Sequence, residues 1–305
     1  MVTDARPQST RASILVPFAI VTLIWGSTWI VIRDQIHVVP AGWSVTYRFL
    51  VAGAAMAAWA AFRRESFRIG AGGFAFAAAI GLLQFCLNFN FVYRAEAFVT
   101  SGLVAVVFAM LLVPNAALAR VFLGQRMGRQ LLIGSAVAMA GVALLFVQEA
   151  RSDPHGPGTA LTGIAWTLAA ILSASCANVL QATERAKRYP MAATLAVAML
   201  IGAAVDAVVA WSISGPPVVE HRWGYWAGIV YLGLAASALA FPLYYRVLRT
   251  IGPAKAAYSS VIVPVIAMLL STLFEDYRWS PLAIGGALLA GAGLVVALSA
   301  RRPNR

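Results

Sequence analysis

Acidic residues are scarce in this sequence: of 305 residues only 11 are Asp or Glu against 23 Lys or Arg, and charged residues make up 11% in all. Soluble domains carry roughly 25%. With 61% apolar residues and a mean hydropathy of +0.80, this chain cannot have water as its main solvent. The net charge of +12 invites a nucleic-acid reading, but the basic residues form no long run and sit in short clusters between apolar stretches, which argues against a nucleic-acid partner. Cysteine is nearly missing. Cys86 and Cys176 both fall inside apolar stretches, where a structural disulfide is not expected, and their spacing suits no metal site. His37, His155 and His221 lie between such stretches without ligand spacing and read as solvated side chains. No H-E-x-x-H, no G-x-S-x-G and no acid or histidine cluster at membrane depth occurs, so an intramembrane enzyme has no support and neither metal nor cofactor is expected.

What the sequence does have is long apolar runs. A bilayer core of roughly 30 Å takes about 20 residues of helix at about 1.5 Å each. Ten stretches meet that length, at 13–32, 41–62, 72–93, 95–118, 130–148, 160–182, 191–214, 223–248, 254–274 and 281–299. The first follows Arg6 and Arg11 as a signal peptide would, yet it continues through Trp25 to Ile32 without a small-residue cleavage site, and is read as a helix. With the N-terminus cytoplasmic, 17 of 23 Lys and Arg fall on the cytoplasmic side and five outside, with Arg48 alone inside a helix. That bias predicts both termini inside. The net positive charge is therefore read as a topology signal, and a basic inner face would favour anionic lipid headgroups.

A shift of 150 residues superimposes Pro40 on Pro190, Pro114 on Pro264, Gln125 on Glu275 and Gly141 on Gly291, and carries the first five apolar stretches onto the last five. Five crossings per copy invert the second copy. The expected fold is all-α integral membrane, with ten transmembrane helices in two inverted five-helix repeats. The expected parts are a cytoplasmic tail at 1–12, a first repeat at 13–148, an external linker at 149–159 broken by Pro154, Gly156, Pro157 and Gly158, a second repeat at 160–299, and a cytoplasmic tail at 300–305. Inverted repeats let two similar halves expose a shared site to each side in turn, the construction of many secondary transporters.

Polar side chains within hydrocarbon are costly and should face a cavity or a neighbouring helix. Gln84 and Asn88 are four apart on one helical face, as are Ser237, Phe241 and Tyr244 on another. With Trp25, Ser173 and Tyr258 they make a candidate lining of aromatic walls and neutral hydrogen-bonding groups, suited to a neutral or zwitterionic solute. The bland alternative is that the polar residues tie helices together and the aromatics pack or anchor at the interface. Pro114 and Pro264 interrupt matching helices and mark candidate hinges or helix breaks, while Gly102, Gly233 and the glycines of the last helix are read as helix contacts. Arg48 and Asp206 are the charges placed inside helices. They either pair directly or each finds a partner of its own, and both are expected to stabilise the fold without carrying substrate. Phosphorylated solutes would need more cations than Arg48 and Lys255 provide.

The motifs Trp25-Gly26-Ser27-Thr28-Trp29, Arg48-Phe49-Leu50 and Thr100-Ser101-Gly102, then Pro114 before Phe122-Leu123-Gly124-Gln125, taken in order with Glu275 and the glycines 285, 286, 291 and 293, resemble the drug/metabolite transporter superfamily in its EamA-like ten-helix exporter branch. The resemblance covers the whole chain. It implies repeats arranged around a central cavity and substrates such as amino acids or related metabolites. The family often has Glu where this chain has Gln125, although Glu275 remains in the second copy. The expected setting is a bacterial inner (plasma) membrane, and the expected partners are a small-molecule substrate and the lipid bilayer. The alternatives are export of hydrophobic or cationic drugs with proton coupling through Asp206, a channel, or an intramembrane enzyme.

Overall fold

The computed structural model describes residues 9–125, 128–152, 157–256 and 259–298. Every regular element among them is helical. The long helices are α1 (Ser9–Gln35), α2 (Ala41–Phe62), α3 (Gly70–Glu96), α4 (Ser101–Leu123), α5 (Arg129–Ser152), α6 (Pro157–Gln181), α7 (Met191–Ser214), α8 (Trp223–Ile251), α9 (Ser259–Phe274) and α10 (Pro281–Leu298). Single turns lie at Glu184–Lys187 and Pro253–Ala256. Seven helices, α1 to α4 and α6 to α8, are long and apolar enough to cross a membrane, and the described parts of α5, α9 and α10 give shorter apolar helices. A backbone in hydrocarbon has no water to bond, so apolar runs of this length satisfy it within the helix.

Local chemistry sets the ends. Pro40 and Pro190 directly precede α2 and α7, and Pro157 and Pro281 open α6 and α10, where a missing N–H costs nothing. Gly124 (φ +64°) ends α4 and Gly252 (φ +86°) ends α8, in backbone conformations that a side chain would strain. Two carboxylates meet unpaired N–H groups at helix N-termini across the fold. Glu65 accepts the Ala193 N–H at the start of α7 (3.0 Å), and Glu275 accepts Ser101 Oγ (2.5 Å) and faces the Ser101 N–H at the start of α4.

The stretches expected at 41–62 and 191–214 coincide with α2 and α7. The boundary expected near 94 is displaced: α3 runs on to Glu96 and α4 starts at Ser101. Ala95, Ala97, Phe98 and Val99 keep the turn apolar, so hydropathy passes over it, and the break shows only in the extended Thr100 (ψ 149°).

Helices from the two ends of the chain pack in antiparallel pairs. Along α2 and α7, Gly42 meets Ala210 and Gly53 meets Leu200. Along α5 and α10, Gly134 meets Ala297 and Gly141 meets Ala290, backbone against backbone. In α10 the packed glycines are Gly286 and Gly293, whereas Gly285 and Gly291 have open space, so only half of the expected glycine row makes the contact. Large apolar side chains such as Phe62, Val121, Phe122, Leu172, Val208, Leu269 and Leu288 remain exposed on the helix surfaces. In water that surface would aggregate, and in a bilayer lipid covers it. The chain is a multi-pass integral membrane protein.

Candidate functional site

Helices α3 and α8 carry the same irregularity. The backbone widens into π turns at Gly81–Asn88 in α3 and at Leu234–Leu239 in α8. The π turns begin 153 positions apart, and so do the helices, at Gly70 and Trp223. A π turn breaks the regular carbonyl ladder and frees acceptors for other groups. Both turns are met from elsewhere: Ser173 Oγ of α6 donates to the Leu83 carbonyl (2.7 Å), and Trp25 Nε1 of α1 donates to the Ala236 carbonyl (3.1 Å). Leu83 and Ala236 are themselves 153 positions apart.

Beside these turns lies a cavity of about 100 Å³. At roughly 10–15 Å³ per water centre this is space for several waters or a solute of comparable bulk. Helix α1 turns Trp25, Thr28, Trp29 and Ile32 toward it, at the spacing of one helical face, and α3 does the same with Gln84, Asn88 and Val92, joined by Phe89. Arg48 comes from α2, Ala105, Phe108, Ala109 and Leu111 from α4, and Ala174 and Asn178 from α6. Phe241 and Tyr244 of α8 and Val263 and Pro264 of α9 complete the wall. The Trp25 ring packs on Tyr244 (centroids 4.9 Å apart) and Phe241 (5.3 Å), making an aromatic corner.

Of the residues expected to line a pathway, Trp25, Gln84, Asn88, Phe241 and Tyr244 come together here. Ser173 and Ser237 are not in the wall. Ser173 holds the α3 π turn, while Ser237 is fully buried, donates to the Leu232 carbonyl (2.7 Å) and accepts from Arg48 Nε (3.0 Å). Tyr258 lies outside the described residues. Pro264 touches the cavity from within α9. Pro114 does not, but its missing N–H cannot bond the Met110 carbonyl, and the chain tightens to a 3-10 turn at Ala109–Leu111, where Ala109 and Leu111 line the cavity.

The two buried charges do not pair with each other. Asp206 accepts from Asn90 Nδ2 (2.6 Å), away from the cavity wall. Arg48 is 1% exposed, and its guanidinium lies 4.1 Å from the Phe89 ring centroid and 5.3 Å from that of Phe49. It is the single charged residue in the cavity wall among the described residues.

Two further acids are withdrawn from the surface, Glu96 wholly and Glu275 in part. Glu96 is fully enclosed, and Arg33 donates to its backbone carbonyl while its Nε stands 3.8 Å from Glu275. Glu275 is held by Ser101 and by Ser271, one turn before it. The Ser271 to Glu275 spacing was a readable signal for the second acid. For Glu96 nothing local marks the burial.

A family model described as the EamA-like transporter family matches residues 12–147 and again 161–299. The chain belongs to the EamA-like transporter family. Among its relatives, Protein PagO of Salmonella typhimurium is 23% identical over 270 residues, covering 88% of this chain and 85% of its own. A probable amino-acid metabolite efflux pump of Escherichia coli K12 is 23% identical over 91% of this chain and 92% of its own. A probable terminal-alkyne amino-acid exporter of Streptantibioticus cattleyicolor is 27% identical over 66% of this chain and 65% of its own. One solved crystal structure superposes with a TM-score of 0.69 at 19% identity, covering 94% of this chain and 96% of the other, which shows a shared fold. The family is named for transport, and two of these relatives are named as an efflux pump and an exporter; this chain is a membrane transporter.

Proposed function

We propose that this protein is an exporter of small neutral or zwitterionic metabolites, amino acids among them, in a bacterial inner membrane. It works by alternating access of two inverted five-helix repeats, ten membrane crossings in all, joined by the linker between α5 (ending at Ser152) and α6 (starting at Pro157). The cavity carries this reading: helices from before and after the linker wall it, and it combines an aromatic corner with neutral polar groups and one cation. The paired π turns, each held by a helix from the other side of the linker, support the repeat, as does a family model that matches twice. The names of two relatives point to amino-acid export. A drug carrier coupled to protons through Asp206 would need that acid in the pathway, and it is absent from the wall.

The test is counterflow in proteoliposomes over a panel of radiolabelled L-amino acids, with and without an imposed pH gradient. Saturable exchange of at least one zwitterion is expected. Currents without saturable exchange would replace the carrier with a channel.

The orientation follows from the basic bias and has its own test. In a background lacking Cys86 and Cys176, a cysteine at Lys187 should resist an impermeant thiol reagent in intact cells, while one at His221 reacts. Rapid labelling at 187 from outside would reverse the topology.

A further inference from the structure

Three polar atoms on cavity-wall residues are buried and have no protein partner: Arg48 Nη1, Trp29 Nε1 and Asn88 Oδ1. The other contacts of these side chains fix what each atom offers. Arg48 is anchored through Nε to Ser237 and stacked on Phe89, so its remaining nitrogens cannot swing to the surface. No carboxylate stands within 4.0 Å of Arg48 among the described residues. Asn88 donates through Nδ2 to the Gln84 carbonyl (3.4 Å), which orients its oxygen as the free end of the amide. Trp29 packs its ring on Phe108. Through their unpaired atoms these wall residues thus bring two donors, one of them cationic, and one neutral acceptor to a wall that also carries the aromatic side chains of Trp25 and Tyr244.

A buried donor or acceptor without a partner costs free energy that a matching ligand recovers. Two donors with one positive charge match a carboxylate, which accepts through two oxygens. A neutral acceptor next to aromatic faces matches an ammonium group. We propose that Arg48 and Trp29 form the carboxylate subsite of the transported solute and that Asn88 takes its ammonium end. This rests on the exporter reading above and assigns Arg48 the role of a substrate-binding residue. It also sets the selectivity: the wall has no counter-charge for a solute that lacks a carboxylate, so amines and amides of the same bulk are rejected.

The experiment uses the full chain in proteoliposomes. Inhibition of the best-carried L-amino acid is measured with its amide, its decarboxylated amine and its deaminated acid, for wild type, Arg48→Gln, Arg48→Lys and Trp29→Phe. In wild type the amide and the amine should compete about ten- to a hundredfold more weakly than the amino acid, the effect of losing a charged hydrogen bond. Arg48→Gln should raise the half-saturating concentration by a similar factor and abolish the preference over the amide, with Arg48→Lys recovering part of it. Trp29→Phe keeps the ring and removes only the N–H, so it should weaken the amino acid about two- to tenfold and leave the amide unaffected, even if Arg48→Gln fails to fold. Equal competition by amide and amino acid in wild type overturns the subsite while leaving the exporter reading intact. So does a uniform loss for all competitors in Trp29→Phe. Flux of no zwitterion at all overturns both.

Discussion

Gly293→Leu is expected to remove folded protein from detergent extracts, whereas Gly285→Ala and Gly291→Ala in the same helix should leave yield and melting temperature unchanged. A Cβ at Gly293 would stand 2.2 Å from the Ala138 nitrogen and 2.6 Å from the Gly134 carbonyl. The obstacle is backbone, which cannot rotate aside as a side chain does. Gly134 and Gly141 face the same limit from α5, each 2.2 Å from a nitrogen of α10. Helices in lipid associate by close packing of small residues, because apolar contact with a neighbouring helix gains little over contact with lipid. Overpacking a core typically costs about 1–3 kcal/mol and more where nothing can yield, and two clashing backbones belong to the upper end. Size-exclusion profiles and melting curves of the three variants decide it. A monodisperse Gly293→Leu with an unchanged melting point would mean that α5 and α10 do not meet this way.

Trp25→Ala should lower flux more than tenfold while folded protein remains abundant. The indole closes the aromatic corner against Phe241 and Tyr244 and also bonds the Ala236 carbonyl of the α8 π turn. Trp25→Phe separates these roles: it keeps a ring in the wall and strands the carbonyl, at about 1–3 kcal/mol. Its flux should fall between wild type and alanine. Ser173→Ala strands the matching Leu83 carbonyl and should lower the melting temperature comparably to Trp25→Phe, although Ser173 is not itself in the cavity wall. Unaltered flux in Trp25→Ala would remove Trp25 from the pathway.

The sequence was most informative where the physics is one-dimensional. Apolar runs bounded by proline located α2 and α7 to the residue, and the four-residue spacing of Gln84 and Asn88 put both on the face that meets the cavity. Backbone register was less visible. A shift of 150 pairs Gln84 with Leu234, but α3 and α8 correspond at 153, because α7 and the segment after it are together three residues longer than α2 and its following loop. Only at 153 does Gln84 match Ser237 and Asn88 match Phe241, and hydropathy carries no trace of a π turn. Ser237 shares a helical face with Phe241 and Tyr244, yet its wider backbone turns it to Arg48 instead. The surroundings of Glu96 and Glu275 depend on Arg33, far away in sequence, and on serines at two other helix ends. The selection among the α10 glycines has a trace in the sequence: Gly134 and Gly141 are seven apart, and so are Gly286 and Gly293.

That seven-residue match has a mechanical consequence. Seven residues of helix span about 10.5 Å, so α5 and α10 are locked at two points along their length, like boards joined by two dowels. Lengthwise shear would force the methyl of Ala290 or Ala297 over the next turn of the opposing backbone, and rotation of either helix would drive side chains into the gap that the glycines leave. The two helices must therefore travel as a single strut. Whatever deformation opens the cavity is borne by joints elsewhere in the bundle.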